Sequence, residues 1–170
     1  NEISKELNAD GRKAIMWGDM LLHNHQDYKG SYAASAPNKE CEKYMLSRID
    51  KNIIIGDWQY WSDEYPIRTS VNLMDSGFDV IICPWDSGTG FNDACINTAK
   101  NYKLSGVMHT TWHTLSSGMP HVTRCAVSCW EDDVAPDMTS YSLKSAAIMR
   151  KTYFAEGDWK KAGWAKCEIE

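Results

Sequence analysis

Four short apolar runs divide the first two thirds of the sequence, and each run carries a tryptophan at or near its end. The runs cover 13–22, 52–60, 78–85 and 105–112. Their tryptophans are Trp17, Trp58, Trp85 and Trp112. Stretches such as Ile53-Ile54-Ile55 are continuous rather than alternating, which is typical of strands buried on both faces of a parallel sheet. The runs therefore predict four parallel strands, each with a tryptophan near its carboxyl end.

Helix-like segments lie between and around these runs. They cover 2–10, 38–49, 65–76, 92–103 and 140–154. Asn38 is placed to cap the second segment, and Gly77 ends the third just before the next apolar run. Strands that alternate with helices predict right-handed βαβ units, and hence an α/β fold built on a parallel sheet.

The length and charge of the chain narrow the classes of protein. At 170 residues it is too short for a complete (β/α)8 barrel, which needs about 250. A formal net charge of −5, without any basic run, argues against nucleic acid or an anionic membrane surface as a partner. The segment Gly88-Thr89-Gly90 lacks the third glycine of a dinucleotide-binding loop, so we expect no nucleotide cofactor. Because the sequence begins without Met or a signal peptide, we expect a piece of a longer chain and infer no cellular location.

Aromatic and acidic residues cluster where the predicted strands end. They are Trp17 with Asp19, Trp58 with Tyr60 and Trp61, Trp85 with Asp86, and Trp112. The carboxyl ends of parallel strands meet at one edge of a sheet, so we expect these side chains to lie together. An aromatic ring stacks on the C–H face of a pyranose, and a carboxylate accepts hydrogen bonds from its hydroxyls. The strand ends therefore predict a sugar-binding site.

Four ordered motifs in the first 112 residues resemble the second half of the catalytic barrel of glycoside hydrolase family 20, the β-N-acetylhexosaminidases. The motifs are IMWGDMLL, IIIGDWQYW, GFDVIICPWD and GVMHTTW. The resemblance implies that the strands are strands five to eight of a TIM-type (β/α)8 barrel, followed by C-terminal helices. It implies a single domain over 1–170, with βα units in 1–114 and a helical extension in 115–170.

The resemblance also implies a reaction for the full protein. Family members hydrolyse terminal N-acetylhexosamines by a retaining, substrate-assisted route, in which a Glu protonates the leaving oxygen and the preceding Asp orients the 2-acetamido group. That pair follows strand four and has no match in this chain, so no catalytic residue is assigned here. The implied partners are an N-acetylhexosamine-type glycan and the missing half-barrel, from the parent chain or a partner chain. Thr114 stands where the family often has a Glu that binds sugar hydroxyls, which leaves the sugar specificity open.

Two other functions stay open at this point. A non-catalytic sugar-binding module would use the same tryptophans and needs no Asp-Glu pair. A metal-dependent barrel hydrolase would use His23 and His25, with Asp19 and Asp27 nearby. Spacing alone does not establish such a site, so no metal ion is predicted. The pair Asp63-Glu64 suits the start of a helix better than a catalytic role.

Overall fold

A computed structural model of the chain describes residues 1–24, 33–60, 64–85, 89–112, 115–131 and 137–153. The strands in these ranges are β1 (Ile15–Trp17), β2 (Ile54–Asp57), β3 (Val80–Ile82) and β4 (Gly106–Val107). The α-helices are α1 (Glu2–Ala9), α2 (Lys39–Arg48), α3 (Arg68–Asp75), α4 (Thr89–Tyr102), α5 (Leu115–Trp130) and α6 (Met138–Tyr153). None of these described helices is long and apolar enough to cross a membrane.

The chain divides into two compact units, Asn1–Thr111 and Trp112–Glu170. The first unit contains the four strands and the helices α1 to α4. The second contains α5 and α6, which pack against each other. The predicted helix at 140–154 corresponds to α6, and α5 is a further helix of 16 residues.

The four strands form one sheet in the order β1-β2-β3-β4, and every neighbouring pair is parallel. Met16 and Val80 both lie beside Ile55 in the register. The prediction of a parallel sheet with alternating helices is therefore confirmed. All four strands are shorter than the apolar runs. At β1 this is because the chain leaves the strand at Trp17 and enters a 3-10 turn at Asp19–Leu21.

One face of the sheet is covered by helices. Ile55 and Val80 are fully buried on this face, and they pack in one cluster with Leu46 of α2 and Leu73 of α3. Phe78, just before β3, completes the cluster. Burial of these side chains is the main favourable contribution to the stability of the first unit, at about 1.5–3 kcal/mol for each large aliphatic side chain.

The opposite face of the sheet is open at β1. Ile15 is 54% exposed and Trp17 is 39% exposed, whereas the side chain between them, Met16, packs toward the covered face. Ile54 and Ile81, on the same open face by register, are half-buried. The prediction that the strands are buried on both faces is therefore wrong for β1. The continuous apolar run does not distinguish a strand covered twice from one whose second face lacks a partner.

The helix ends follow local chemistry. The side chain of Asn38 accepts a hydrogen bond from the backbone N–H of Cys41 at 2.8 Å, so the predicted cap of α2 is confirmed. Gly77 follows α3 with a φ of +90°, a conformation that a side chain disfavours, and it turns the chain into β3. The helix α3 begins at Arg68, three residues later than the sequence pattern predicts.

Candidate functional site

The candidate site lies at the carboxyl ends of β1, β2 and β3, and its first element is Trp17. This residue is the register partner of Gly56 on β2. A Cβ atom at Gly56 would lie 3.1 Å from Cε3 and 3.2 Å from Cζ3 of the Trp17 indole, and 3.6 Å from Sγ of Cys83. Only glycine leaves the indole this close to the strand. The ring thus rests on the sheet backbone while part of it stays open to solvent.

A carboxylate is fixed beside the second tryptophan. The indole N–H of Trp58 donates a hydrogen bond to Oδ1 of Asp19 at 3.0 Å. Asp19 is half-exposed, and its Oδ2 accepts no hydrogen bond from any residue that the structure describes. The backbone of Asp19 is held as well, because its carbonyl accepts the N–H of Ser35 at 2.8 Å. The site therefore presents one oriented carboxylate oxygen to an incoming hydroxyl donor.

Three aromatic rings stand in a row across the ends of β2 and β3. The ring centres of Trp58 and Tyr60 are 5.1 Å apart, and those of Tyr60 and Trp85 are 5.3 Å apart, with tilts of 44° and 45°. These separations are in the favourable range for aromatic pairs, about 4.5–7 Å. Tyr60 is only 5% exposed, while both indoles are half-buried. Tyr60 therefore packs between the two indoles and exposes little of its own ring to solvent.

The Tyr60 hydroxyl ties this row to the end of β4. It lies 2.9 Å from Oγ1 of Thr110, whose own hydroxyl donates to the carbonyl of Pro84 at 3.0 Å. Because the single proton of Thr110 is used on Pro84, Tyr60 is the donor in the first contact. The contact joins the ends of β2, β3 and β4 through side chains.

A buried carboxylate anchors the end of β2. Asp57 is fully buried, and its Oδ2 accepts hydrogen bonds from the hydroxyls of Thr69 and Ser70, both at 2.6 Å. Its Oδ1 accepts a third from Nε2 of Gln59 at 3.0 Å. Burial raises the pKa of Asp57 above its ordinary value, although the three hydrogen bonds oppose this rise; the nearby charge of Asp19 adds to it. Asp57 thus has a structural role, because its hydrogen bonds join the end of β2 to the start of α3.

Direct contacts join four of the eight predicted sugar-binding residues, namely Asp19, Trp58, Tyr60 and Trp85. Trp17 lies against Gly56 of β2. Trp61 and Asp86 lie outside the described residues. Trp112 is the first residue of the second compact unit and is 58% exposed.

The residues of the predicted alternatives are placed as follows. The backbone N–H of His23 donates a hydrogen bond to Oε2 of Glu42, and its Nδ1 lies 3.2 Å from the carbonyl oxygen of Ala36. His25, Asp27 and Asp63 lie outside the described residues, and Glu64 is half-buried. Within the described ranges, no three His, Cys, Asp or Glu side chains converge in a way that would hold a metal ion.

Sequence reasoning missed the supporting residues of the site, namely Gly56, Asp57, Thr69, Ser70 and Thr110. One signal for Asp57 was present, because a carboxylate that directly follows a buried apolar run must be hydrogen-bonded to stay there. Two hydroxyl residues at the start of the next helix are the natural donors. The Gln59 amide, at the same strand end, is fully used inside the protein.

No protein-family model matches the sequence, and a search of curated proteins gives no match either.

Proposed function

We propose that this chain is the substrate-binding half of a carbohydrate-active barrel, and that it binds a terminal N-acetylhexosamine at the carboxyl ends of its strands. The observation that carries the proposal is the pairing of Trp58 with Asp19. The indole N–H lies in the plane of the ring, so it holds one oxygen of Asp19 at the edge of Trp58, and the other oxygen accepts no hydrogen bond from the described residues. This combination suits a pyranose, which has an apolar C–H face and a rim of hydroxyl donors.

We infer the reaction from the resemblance to family 20 glycoside hydrolases. In the full protein the reaction is retaining hydrolysis assisted by the substrate's own acetamido group, with the Asp-Glu pair supplied after strand four. The role of the present residues is to hold the sugar ring. In this proposal Trp17 and Trp85 flank the ring, and Asp19 accepts hydrogen bonds from its hydroxyls.

The open face of the sheet supports the barrel part of the proposal. In a TIM-type barrel each strand has helices on its outer face and fills the barrel interior with its other face. The sheet has this division, with α2 and α3 packed on one face and Ile15, Trp17 and Met108 exposed on the other. Four further strands, from the parent chain or a partner chain, would pair with the edges at β1 and β4 and bury these apolar side chains.

A calorimetric titration tests the proposed function. The folded chain is titrated with N-acetylglucosamine, with its thiazoline analogue, and with glucose as a sugar that lacks the acetamido group. We expect binding of the monosaccharide with a Kd on the order of 1 mM, which corresponds to about −4 kcal/mol. The thiazoline should bind more tightly and glucose more weakly.

Two matched variants give this titration its control. Trp58→Ala removes the aromatic face and the hydrogen bond that orients Asp19, so it should abolish measurable binding. Trp130→Ala removes a tryptophan of α5 that is 89% exposed, and it should leave the Kd unchanged. Equal losses in both variants, or no binding to a folded chain by any of the three sugars, would contradict the proposed function.

A further inference from the structure

The side chain of Gln59 forms hydrogen bonds with the backbone of Ala33, 26 residues earlier in the chain, in the way that a neighbouring strand would. Oε1 of Gln59 accepts the N–H of Ala33 at 2.8 Å, and Nε2 donates to the carbonyl of the same residue at 3.1 Å. Gln59 is 1% exposed, so both contacts are shielded from water. One side-chain amide thus satisfies both polar groups of one residue, as neighbouring backbone does in a sheet.

The orientation of this amide follows from its partners. The N–H of Ala33 needs an acceptor, and only the oxygen of the amide accepts. The nitrogen therefore faces Asp57, and it donates to Oδ1 of Asp57 at 3.0 Å. Because Thr69 and Ser70 hold the other oxygen of Asp57, the amide is anchored to the start of α3.

The segment held by Gln59 continues into a contact with the candidate site. Residues 33–36 run beside the chain that follows β1, where Ser35 donates to the carbonyl of Asp19 and Ala36 donates to that of Leu22. Asp19 is therefore held at its backbone by this segment and at its carboxylate by Trp58. Trp58 and Gln59 are neighbours at the end of β2. Trp58 holds the carboxylate of Asp19 directly, and Gln59 holds its backbone through residues 33–36.

We propose that Gln59 is a positioning residue of the sugar site, which fixes the carboxylate of Asp19 through the segment 33–36. This inference rests on the proposed function of the site. Gln59 does not touch the sugar, since its amide is fully used by Ala33 and Asp57. Its loss frees residues 33–36, widens the range of positions of Asp19, and so weakens the hydrogen bond from Asp19 to a sugar hydroxyl.

The test combines hydrogen exchange with binding. Gln59→Met keeps the length of the side chain and removes both hydrogen bonds to Ala33. Ala33→Pro removes the donated N–H from the other side and leaves the buried amide in place. In both variants the backbone N–H of Ser35 and Ala36 should exchange at least tenfold faster, while that of Ile55 in β2 keeps its rate. The Kd for N-acetylglucosamine should rise about tenfold, or about 1.4 kcal/mol.

A double-mutant cycle separates positioning from general support of the fold. In an Asp19→Ala background, Gln59→Met should leave the Kd unchanged, because the group through which it acts is gone. Asn72→Ala, which removes an amide hydrogen bond of 3.1 Å to Glu42 on the covered side, should leave both exchange and Kd unchanged. An additive effect in the cycle, or unchanged exchange at Ser35 and Ala36 in both variants, overturns the inference. If the unsubstituted chain binds no sugar, the proposed function fails and the positioning role fails with it. The exchange data still show whether Gln59 holds residues 33–36 in place.

Discussion

Two glycines at the end of β1 and in β2 offer a paired test of how the two faces of the sheet differ. An alanine at Gly18 places Cβ 2.8 Å from Cγ2 of Ile55 and 3.3 Å from Cδ1 of Leu73. Both of these side chains are fully buried, so neither has room to move. An alanine at Gly56 places Cβ 3.1 Å from the indole of Trp17, which lies on the open face. The indole is free to tilt by the few tenths of an ångström that the contact requires.

The contacts translate into different losses of stability. Crowding a closed core costs about 1–3 kcal/mol, whereas replacing glycine by alanine restricts the unfolded chain and returns about 0.4–1 kcal/mol. Neither glycine needs a positive φ: Gly18 has a φ of −89°, and Gly56 lies within a strand. We therefore expect Gly18→Ala to lower the free energy of unfolding by about 1–2 kcal/mol. Gly56→Ala should change it by less than about 0.5 kcal/mol, because its smaller strain is offset by the same gain.

Urea unfolding followed by far-ultraviolet circular dichroism measures both values. For a small protein the slope is about 1–3 kcal/mol per molar urea, so the two midpoints should differ by roughly 0.7 M. The slope of the unfolding free energy against urea concentration should be the same in both variants as in the unsubstituted chain. If Gly56→Ala loses as much stability as Gly18→Ala, the face that carries Trp17 is closed, and the reasoning from an open sheet face is wrong.

Three further substitutions have distinct outcomes. Asp57→Asn tests the raised pKa: the stabilisation that Asp57 contributes is fully present below its unfolded pKa, about 4, and is lost as pH rises through its higher folded pKa. The unsubstituted chain should thus lose stability relative to this variant as pH rises above about 4. A difference in urea midpoints that stays constant with pH would show that the pKa is not raised. Asn38→Ala removes the cap of α2 and should cost about 1 kcal/mol in thermal unfolding, with Asn38→Asp as the neutral control; equal losses in the two would show that the cap is not the cause. Tyr60→Phe keeps the ring but removes the hydroxyl that donates to Thr110. It should lower the free energy of unfolding, measured by urea titration, by about 1 kcal/mol. An unchanged midpoint would show that this hydrogen bond does not stabilise the fold.

The backbone plan was predictable from the sequence because its signals are local. Continuous apolar runs predicted the strands, and Asn38 and Gly77 predicted where helices begin and end. The boundaries of β1 were less predictable. Leu21 and Leu22 extend the apolar run, but they are buried by the 3-10 turn that follows the strand and not by the strand itself. Hydrophobicity reports burial, and both conformations bury these side chains.

The aromatic residues of the candidate site were visible in the sequence, whereas the residues that hold them in place were not. Tryptophan near every strand end is visible in the sequence, and the topology brings those ends to one edge. The partners of Gln59 and Asp57 lie up to 26 residues away, at Ala33, Thr69 and Ser70. Such contacts depend on how the segment before α2 returns across the strand ends. No periodicity or capping pattern encodes that path.

Nuclear magnetic resonance of the indole N–H groups tests the central claim most directly. The ¹⁵N–¹H correlation spectrum of the chain is recorded during a titration with N-acetylglucosamine, and each tryptophan resonance is assigned by substitution. We expect saturable shifts for Trp17, Trp58 and Trp85, with the largest at Trp58, because its N–H donates to Asp19, the carboxylate proposed to bind a sugar hydroxyl. The exposed Trp130 should not shift. Shifts at Trp130 alone, or none at any tryptophan of a folded chain, would contradict a sugar site at the strand ends.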